Sequence, residues 1–345
     1  MTNISQNTSI KTTMGLPVFW NGLVKFLISS MLIYFIYNQL ADKGDLSEVW
    51  SSFRQNIGFG NIGLLVLCVL LMPFNFILEN YKWRYLLTGM AYVSFWRSLK
   101  AILCGATLGI VTPNRLGEYG GRVLYFESRD NWKAIIATGV GNLAQLIVIL
   151  SIGWIGAIYF FKHQVSLHPM LTSGSIVLGL ISVILLSILY FNIDLAIDLF
   201  RRFPIPTYIK ARIRKLSFLQ NLEILRSYSI VALQKVLTIG LLKYVVYMTQ
   251  YLLLLYFFGI QVPFWIALAG IATIYLIQTS IPLPAFMGLL ARGELALIIW
   301  GYYSDMPENI LGASFSLWIL NLLIPSIIGL VLIYKVNILK SLGYD

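Results

Sequence analysis

Apolar runs long enough to cross a bilayer as a helix recur along the chain at about 17–40, 58–80, 133–160, 172–196, 230–258 and 309–334; a single crossing needs roughly 20 residues. Two further segments, 99–128 and 263–301, are equally apolar but are broken near the middle by proline, glycine and charge. From Tyr244 to Ala291 there are 48 residues without Asp, Glu, Lys or Arg, so that stretch holds more than one pass or a hairpin.

The arms of the broken segments are short. Ala101 to Asn114 is 14 uncharged residues, a rise of about 21 Å against a hydrocarbon core of about 30 Å. The arm after Glu294, Leu295 to Ser304, is shorter still. Both segments therefore read as re-entrant hairpins, tolerated where protein or water covers the freed backbone. Reading each as two complete crossings, for eight or more spans, leaves the loop parity unchanged. The expectation is an all-α polytopic membrane protein in which the order span, span, hairpin, span occurs twice with opposite polarity, an inverted-topology repeat. Its divisions are a disordered tail over 1–16, one repeat over 17–160, a second over 161–335 and a tail over 336–345.

Composition sharpens the class. Of 345 residues 58% are hydrophobic and 11% charged, where soluble domains average about a quarter charged. The formal net charge of +11 does not indicate nucleic acid, because Lys and Arg gather in a few loops, as membrane orientation requires. Placing the N-terminus inside makes 81–100 cytoplasmic, with Lys82, Arg84, Arg97 and Lys100, together with 197–229 and the C-terminal tail. The expected location is the cell membrane, with both termini cytoplasmic. Segment 199–228 alternates basic and apolar residues, as does a helix lying on the inner leaflet; a solvated basic linker fits it equally well.

Several chemistries find no support. Cys68 and Cys104 lie in apolar surroundings and form neither a CxxC site nor a disulfide framework. His163 and His168 flank an outer loop without a third ligand, so no metal is expected. No G-x-x-x-x-G-K-[ST] loop is present to bind nucleotide phosphates, and no cofactor is expected. Asp194 and Asp198 beside Arg201 and Arg202 read as an interfacial salt-bridge cluster.

Candidate chemistry concentrates in the broken segments, since paired interruptions at corresponding places of two halves mark transporter sites. In the first, Thr112-Pro-Asn-Arg-Leu-Gly-Glu-Tyr-Gly-Gly-Arg122, a helix starting at Pro113 would have Thr112 as its N-cap and turn a positive end into the membrane. Arg115, Glu118 and Arg122 then share one face, with Glu118 and Arg122 in the favourable i, i+4 order. Guanidinium forks suit a phosphodiester. Thr112, Pro113 and Asn114 complete that candidate site. The second segment offers Pro282, Pro284, Arg292 and Glu294. Gly120 and Gly121 leave room for a ligand or for another helix. Lys243 lies deep in its span, to contact substrate or to pair with an acid such as Glu79.

The run from Thr112 to Arg122 closely matches the T-P-x-R-hydrophobic-G-E-x-x-x-R signature of the lysylphosphatidylglycerol synthase transmembrane region family, and the layout of nearly the whole chain resembles that family. The resemblance implies that a lipid or lipid-linked head group moves between leaflets, and it carries Arg115, Glu118 and Arg122 as motif residues. The second motif, usually P-x-P-G-G-x-G followed by R-E, departs here to Pro282-Leu-Pro-Ala-Phe-Met-Gly288 and Arg292-Gly-Glu294. Members that synthesise aminoacyl lipids carry a soluble acyltransferase-like domain after the membrane part; this sequence, ending at Asp345, leaves no length for one, and no enzyme is expected. The expected ligand is an anionic or aminoacyl phospholipid, or a polyprenyl-linked glycan. The rival readings are a non-catalytic partner of a separate lipid-modifying enzyme, and a membrane transferase using a lipid-linked donor.

Overall fold

A computed structural model describes residues 15–41, 46–57, 61–164, 169–202, 222–281 and 288–341, and among them every regular element is helical. In chain order these are α1 (Gly15–Ala41), α2 (Leu46–Asn56), α3 (Ile62–Leu87), α4 (Phe95–Ile110), α5 (Gly117–Val123), α6 (Asn131–Gln164), α7 (Pro169–Phe191) and α8 (Ile193–Arg202). They are followed by α9 (Ile230–Phe257), α10 (Phe264–Ser280), α11 (Gly288–Trp300), α12 (Pro307–Trp318), α13 (Ile324–Tyr334) and α14 (Ile338–Ser341). Among the described residues five stretches are long and apolar enough to cross a membrane: Ile62–Leu87, Ser128–Gln164, Thr172–Phe191, Ile230–Phe257 and Pro307–Tyr334. They coincide with five of the six expected spans, and α1 is a 27-residue helix in the place of the sixth.

Local chemistry explains where these helices begin and bend. Ser94 caps α4 by accepting from the Arg97 amide, and Ser229 caps α9 by accepting from the Ala232 amide at 3.2 Å, each quenching a donor left over in the first turn. Between α12 and α13 the helix widens into a π turn over Ile319–Leu323, just ahead of Pro325, whose missing amide breaks the regular ladder. The widened turn carries the buried Asn321, whose amide donates to Gln250 Oε1 at 3.0 Å; Gln250 Nε2 in turn donates to the Cys68 carbonyl at 3.0 Å. Three spanning elements are thus tied by buried amides where neither water nor lipid supplies a partner.

Helix α3 packs on α9, α4 on α13, and α10 on α6. Glycines set these distances. A Cβ on Gly329 of α13 would collide with the Leu103 carbonyl of α4, and one on Gly156 of α6 would stand 2.6 Å from the Ala272 Cβ of α10. The arms α4 and α5 run antiparallel and close: Cβ atoms on Gly117 and Gly121 would collide with the carbonyls of Leu108 and Cys104. Gly121 therefore serves helix packing, while Gly120 is exposed.

Two expectations are corrected. Helix α3 continues to Leu87, so Lys82, assigned above to a cytoplasmic loop, lies within it and is 1% exposed. Its Nζ sits 2.7 Å from Glu79, and that partner offsets the cost of burying it. The helix expected to start at Pro113 does not form: Pro113–Arg115 is a 3₁₀ turn with Asn114 and Arg115 at φ 48° and 58°, and α5 begins only at Gly117. Thr112 Oγ1 accepts from the Gly117 amide at 2.7 Å while donating to the Leu108 carbonyl at 2.9 Å, so it stitches the turn to the preceding arm. The basic stretch 203–221 lies outside the described residues. Asp194 pairs with Arg226 at 2.7 Å.

Candidate functional site

Glu79, near the C-terminal end of α3, is the hub of a buried charge cluster. Its Oε2 lies 2.7 Å from Lys82 Nζ and 2.5 Å from Lys243 Nζ of α9, and its Oε1 lies 2.8 Å from Arg122 Nη2 of α5. The same Nη2 also bonds Glu118, one turn back on α5, and Arg115 Nε stands 3.6 Å from the second oxygen of Glu118. Glu79, Lys82, Glu118 and Arg122 are each less than one tenth exposed. The guanidinium of Arg122 lies 5.1 Å from the centre of the Trp83 ring, which adds cation–π attraction on its flank.

Close packing of α5 on α4 places this cluster. Because Gly117 and Gly121 let the two arms touch backbone to backbone, the face of α5 whose side-chain stems pass over Gly105 of α4 is brought against α3. Glu118 and Arg122 occupy adjacent turns of that face. Burying any one of these groups alone would cost several kcal/mol; together they are paired and hydrogen-bonded.

The sequence-predicted residues separate into three sets. Arg122, Glu118, Glu79 and Lys243 come together, and Lys82, which hydropathy had put in a loop, joins them. Arg115 borders the cluster with its side chain 52% exposed. Its left-handed backbone, uncommon for a long side chain, is strained. Thr112 shapes the turn, whereas Pro113 and Asn114 are exposed at its tip. In the second broken segment Pro282 and Pro284 lie outside the described residues, and Glu294 is exposed.

Arg292 of α11 is half-buried and within electrostatic reach of Arg115 and of Tyr247, Tyr251 and Tyr275. Among the described residues no carboxylate forms an ion pair with it. Tyr247 on α9 lies within reach of Arg115, Glu79 and Arg292 together, which puts it between the two broken segments. The Tyr275 ring packs against those of Tyr244, Tyr247 and Tyr251 at centroid distances of 5.8, 6.4 and 6.5 Å. The buried hydroxyls of Tyr244 and Tyr275, and Nε of Arg122, make no hydrogen bond among the described residues.

The tyrosines were missed in the sequence because an aromatic residue on a spanning helix is indistinguishable from lipid-facing surface. Their spacing, Tyr244, Tyr247 and Tyr251 at i, i+3 and i+7, was the available signal. Counted together, Lys82, Arg115, Arg122 and Lys243 face two carboxylates, leaving two formal positive charges, and Arg292 adds a third. A buried surplus of this sign, with unfilled hydroxyls beside it, is suited to an anion. No group of three His, Cys, Asp or Glu side chains able to hold a metal occurs among the described residues.

A sequence model of the lysylphosphatidylglycerol synthase TM region matches residues 22–329. That range includes both broken segments and every residue of the charge cluster. No curated protein matches the chain.

Proposed function

This chain belongs to the lysylphosphatidylglycerol synthase TM region family, and we propose that it is a flippase-like transporter that carries an anionic or aminoacylated phospholipid head group between leaflets, without catalysing a covalent step. The observation that carries the reading is that Arg115 and Arg292, one from each broken segment, lie within electrostatic reach of one another, and that the buried Tyr275 hydroxyl near Arg292 makes no hydrogen bond among the described residues. Each guanidinium presents a planar fork of N–H donors suited to a phosphodiester.

In this reading Arg122 is the internal strut. Already bonded to Glu79 and Glu118, it fixes α5 against α3 and α9 and holds the turn that presents Arg115. Glu79 ties the two halves of the chain through Lys243. The packing pattern supports an inverted repeat: α4 of the first half lies on α13 of the second, α10 of the second lies on α6 of the first, and α3 meets α9 between them. Helices α4 and α10, with 16 and 17 residues, rise about 24 and 26 Å, short of a full hydrocarbon core. Re-entrant hairpins meeting at mid-membrane, with the halves rocking about them, would give alternating access, in a cell membrane with both termini cytoplasmic.

Leaflet exchange of a fluorescent anionic phospholipid in proteoliposomes tests the reading. Arg292→Gln is expected to slow exchange roughly tenfold to hundredfold, the loss of a hydrogen bond to a charged group, with the melting temperature in detergent unchanged. Wild-type protein that moves no anionic lipid would overturn the transport reading and favour a role as partner of a separate lipid-modifying enzyme.

A further inference from the structure

Helix α10 has a second functional face. Tyr275 looks toward α9 and the arginines, while Thr273, Leu276 and Ile277 line a cavity of about 690 Å³ on the other side, between α10, α6 and α7. The volume is within the range of small-ligand sites. The cavity is open on one flank beside α7, a peripheral helix: in the spanning stretch Thr172–Phe191 only 11% of the apolar window is buried. What surrounds that flank is the hydrocarbon of the bilayer.

The wall is less polar than its residue types imply. Thr273, Ser280, Ser175 and Ser182 each donate their hydroxyl to a carbonyl of their own helix, those of Ala269, Leu276, Thr172 and Gly179. What these residues offer the cavity is therefore mainly methyl and methylene surface. Nε1 of Trp154 is buried without a hydrogen-bond partner among the described residues, and its ring is seated on Gly179, where a Cβ would stand 2.8 Å from the ring. Gly179 thus makes the space that lets an indole stand between α6 and α7.

We propose that this cavity seats one acyl chain of a phospholipid. An apolar wall whose hydroxyls are already committed to carbonyls of their own helices fits a chain that is hydrocarbon along its length. The proposal rests on the lipid reading above and extends it: the carboxyl-terminal part of α10 separates head from tail, with arginines and tyrosines on one side and the acyl cavity on the other.

The test is photo-crosslinking of full-length protein in liposomes containing phosphatidylglycerol with a diazirine on one acyl chain, the adducts being mapped by mass spectrometry. Adducts are expected to concentrate on Trp154, Leu178 and Leu276. Ser175→Trp, which fills the cavity from α7, should cut them about tenfold. Ser182→Trp serves the same purpose should the first variant not elute as a single folded species. Adducts that survive Arg115→Ala combined with Arg292→Ala would support the acyl site and remove the head-group reading. Adducts spread evenly over the outer faces of α3, α7 and α9, unchanged by both tryptophan variants, would overturn the acyl site.

Discussion

The two broken segments share a hydropathy pattern but handle charge in opposite ways. In α4–α5 the arms meet through glycine, and the carboxylates of Glu79 and Glu118 hold Arg122 between them. In α10–α11 the contact is aromatic: Trp300 is seated on Gly270, its Nε1 donates to the Tyr251 hydroxyl at 3.1 Å, and Arg292 has tyrosines for neighbours. One segment has its most deeply buried cation paired with two carboxylates. The other leaves a cation and hydroxyls to be completed by something else. A conspicuous charged motif can therefore be the scaffold of a site, while its plainer counterpart supplies an open contact.

The largest break in this comparison comes from the glycines. Gly121→Leu would drive a side chain into the Cys104 carbonyl, and backbone cannot yield there, so the expected result is loss of folded protein on size-exclusion chromatography. A milder change in the second segment, Gly270→Ala, meets side chains rather than backbone, the Trp300 ring at 2.6 Å and Ile299 Cγ2 at 3.1 Å from the new Cβ, and should lower the melting temperature while leaving the protein folded. Equal yields for both variants would mean that the two hairpins are not packed differently.

Removing the hub ranks next. Glu79→Ala would leave Lys82, Lys243 and Arg122 short of a buried counter-charge, a loss of about 3–5 kcal/mol, read as a collapse of thermal stability in detergent. If Glu79→Ala melted as the wild type does, the cluster would not be a strut.

Arg115 sharpens the comparison at the level of function. Glycine accepts the left-handed backbone that Arg115 adopts at φ 58°, so Arg115→Gly should keep or slightly raise stability. Exchange of anionic lipid should nevertheless fall roughly tenfold to hundredfold. Stability and transport falling together would make Arg115 part of the scaffold. The smallest effect is expected from Tyr275→Phe, which removes only a hydroxyl: exchange should slow by about tenfold or less, with ring packing retained. An increase in exchange would show that the hydroxyl does not meet the head group.

Much of the architecture was legible because it is written locally. A run of apolar side chains such as 58–80 or 172–196 must find hydrocarbon wherever the rest of the chain goes. Proline and glycine likewise interrupt a helix through their own backbone chemistry, and so both broken segments stood out. The pairing of Lys243 with Glu79 was one of two open alternatives, and it is the arrangement found, at 2.5 Å. Lys82 was misplaced because a lysine at the end of an apolar run reads as a loop residue unless its partner is known.

By itself, then, the sequence of this protein determined its helical membrane class, the two places where its apolar segments break, the family to which it belongs and the residue types near its centre. Tertiary structure alone decided which charges meet. Glu79 is 43 residues from Arg122 and 164 from Lys243, and their contact depends on how α3, α5 and α9 pack, which the glycines govern through backbone distance. Hydropathy is a property of each segment taken singly. Ion pairing is a property of the arrangement, and it left Arg115 and Arg292, rather than the most deeply buried arginine of the motif, as the cations with bonding capacity to spare.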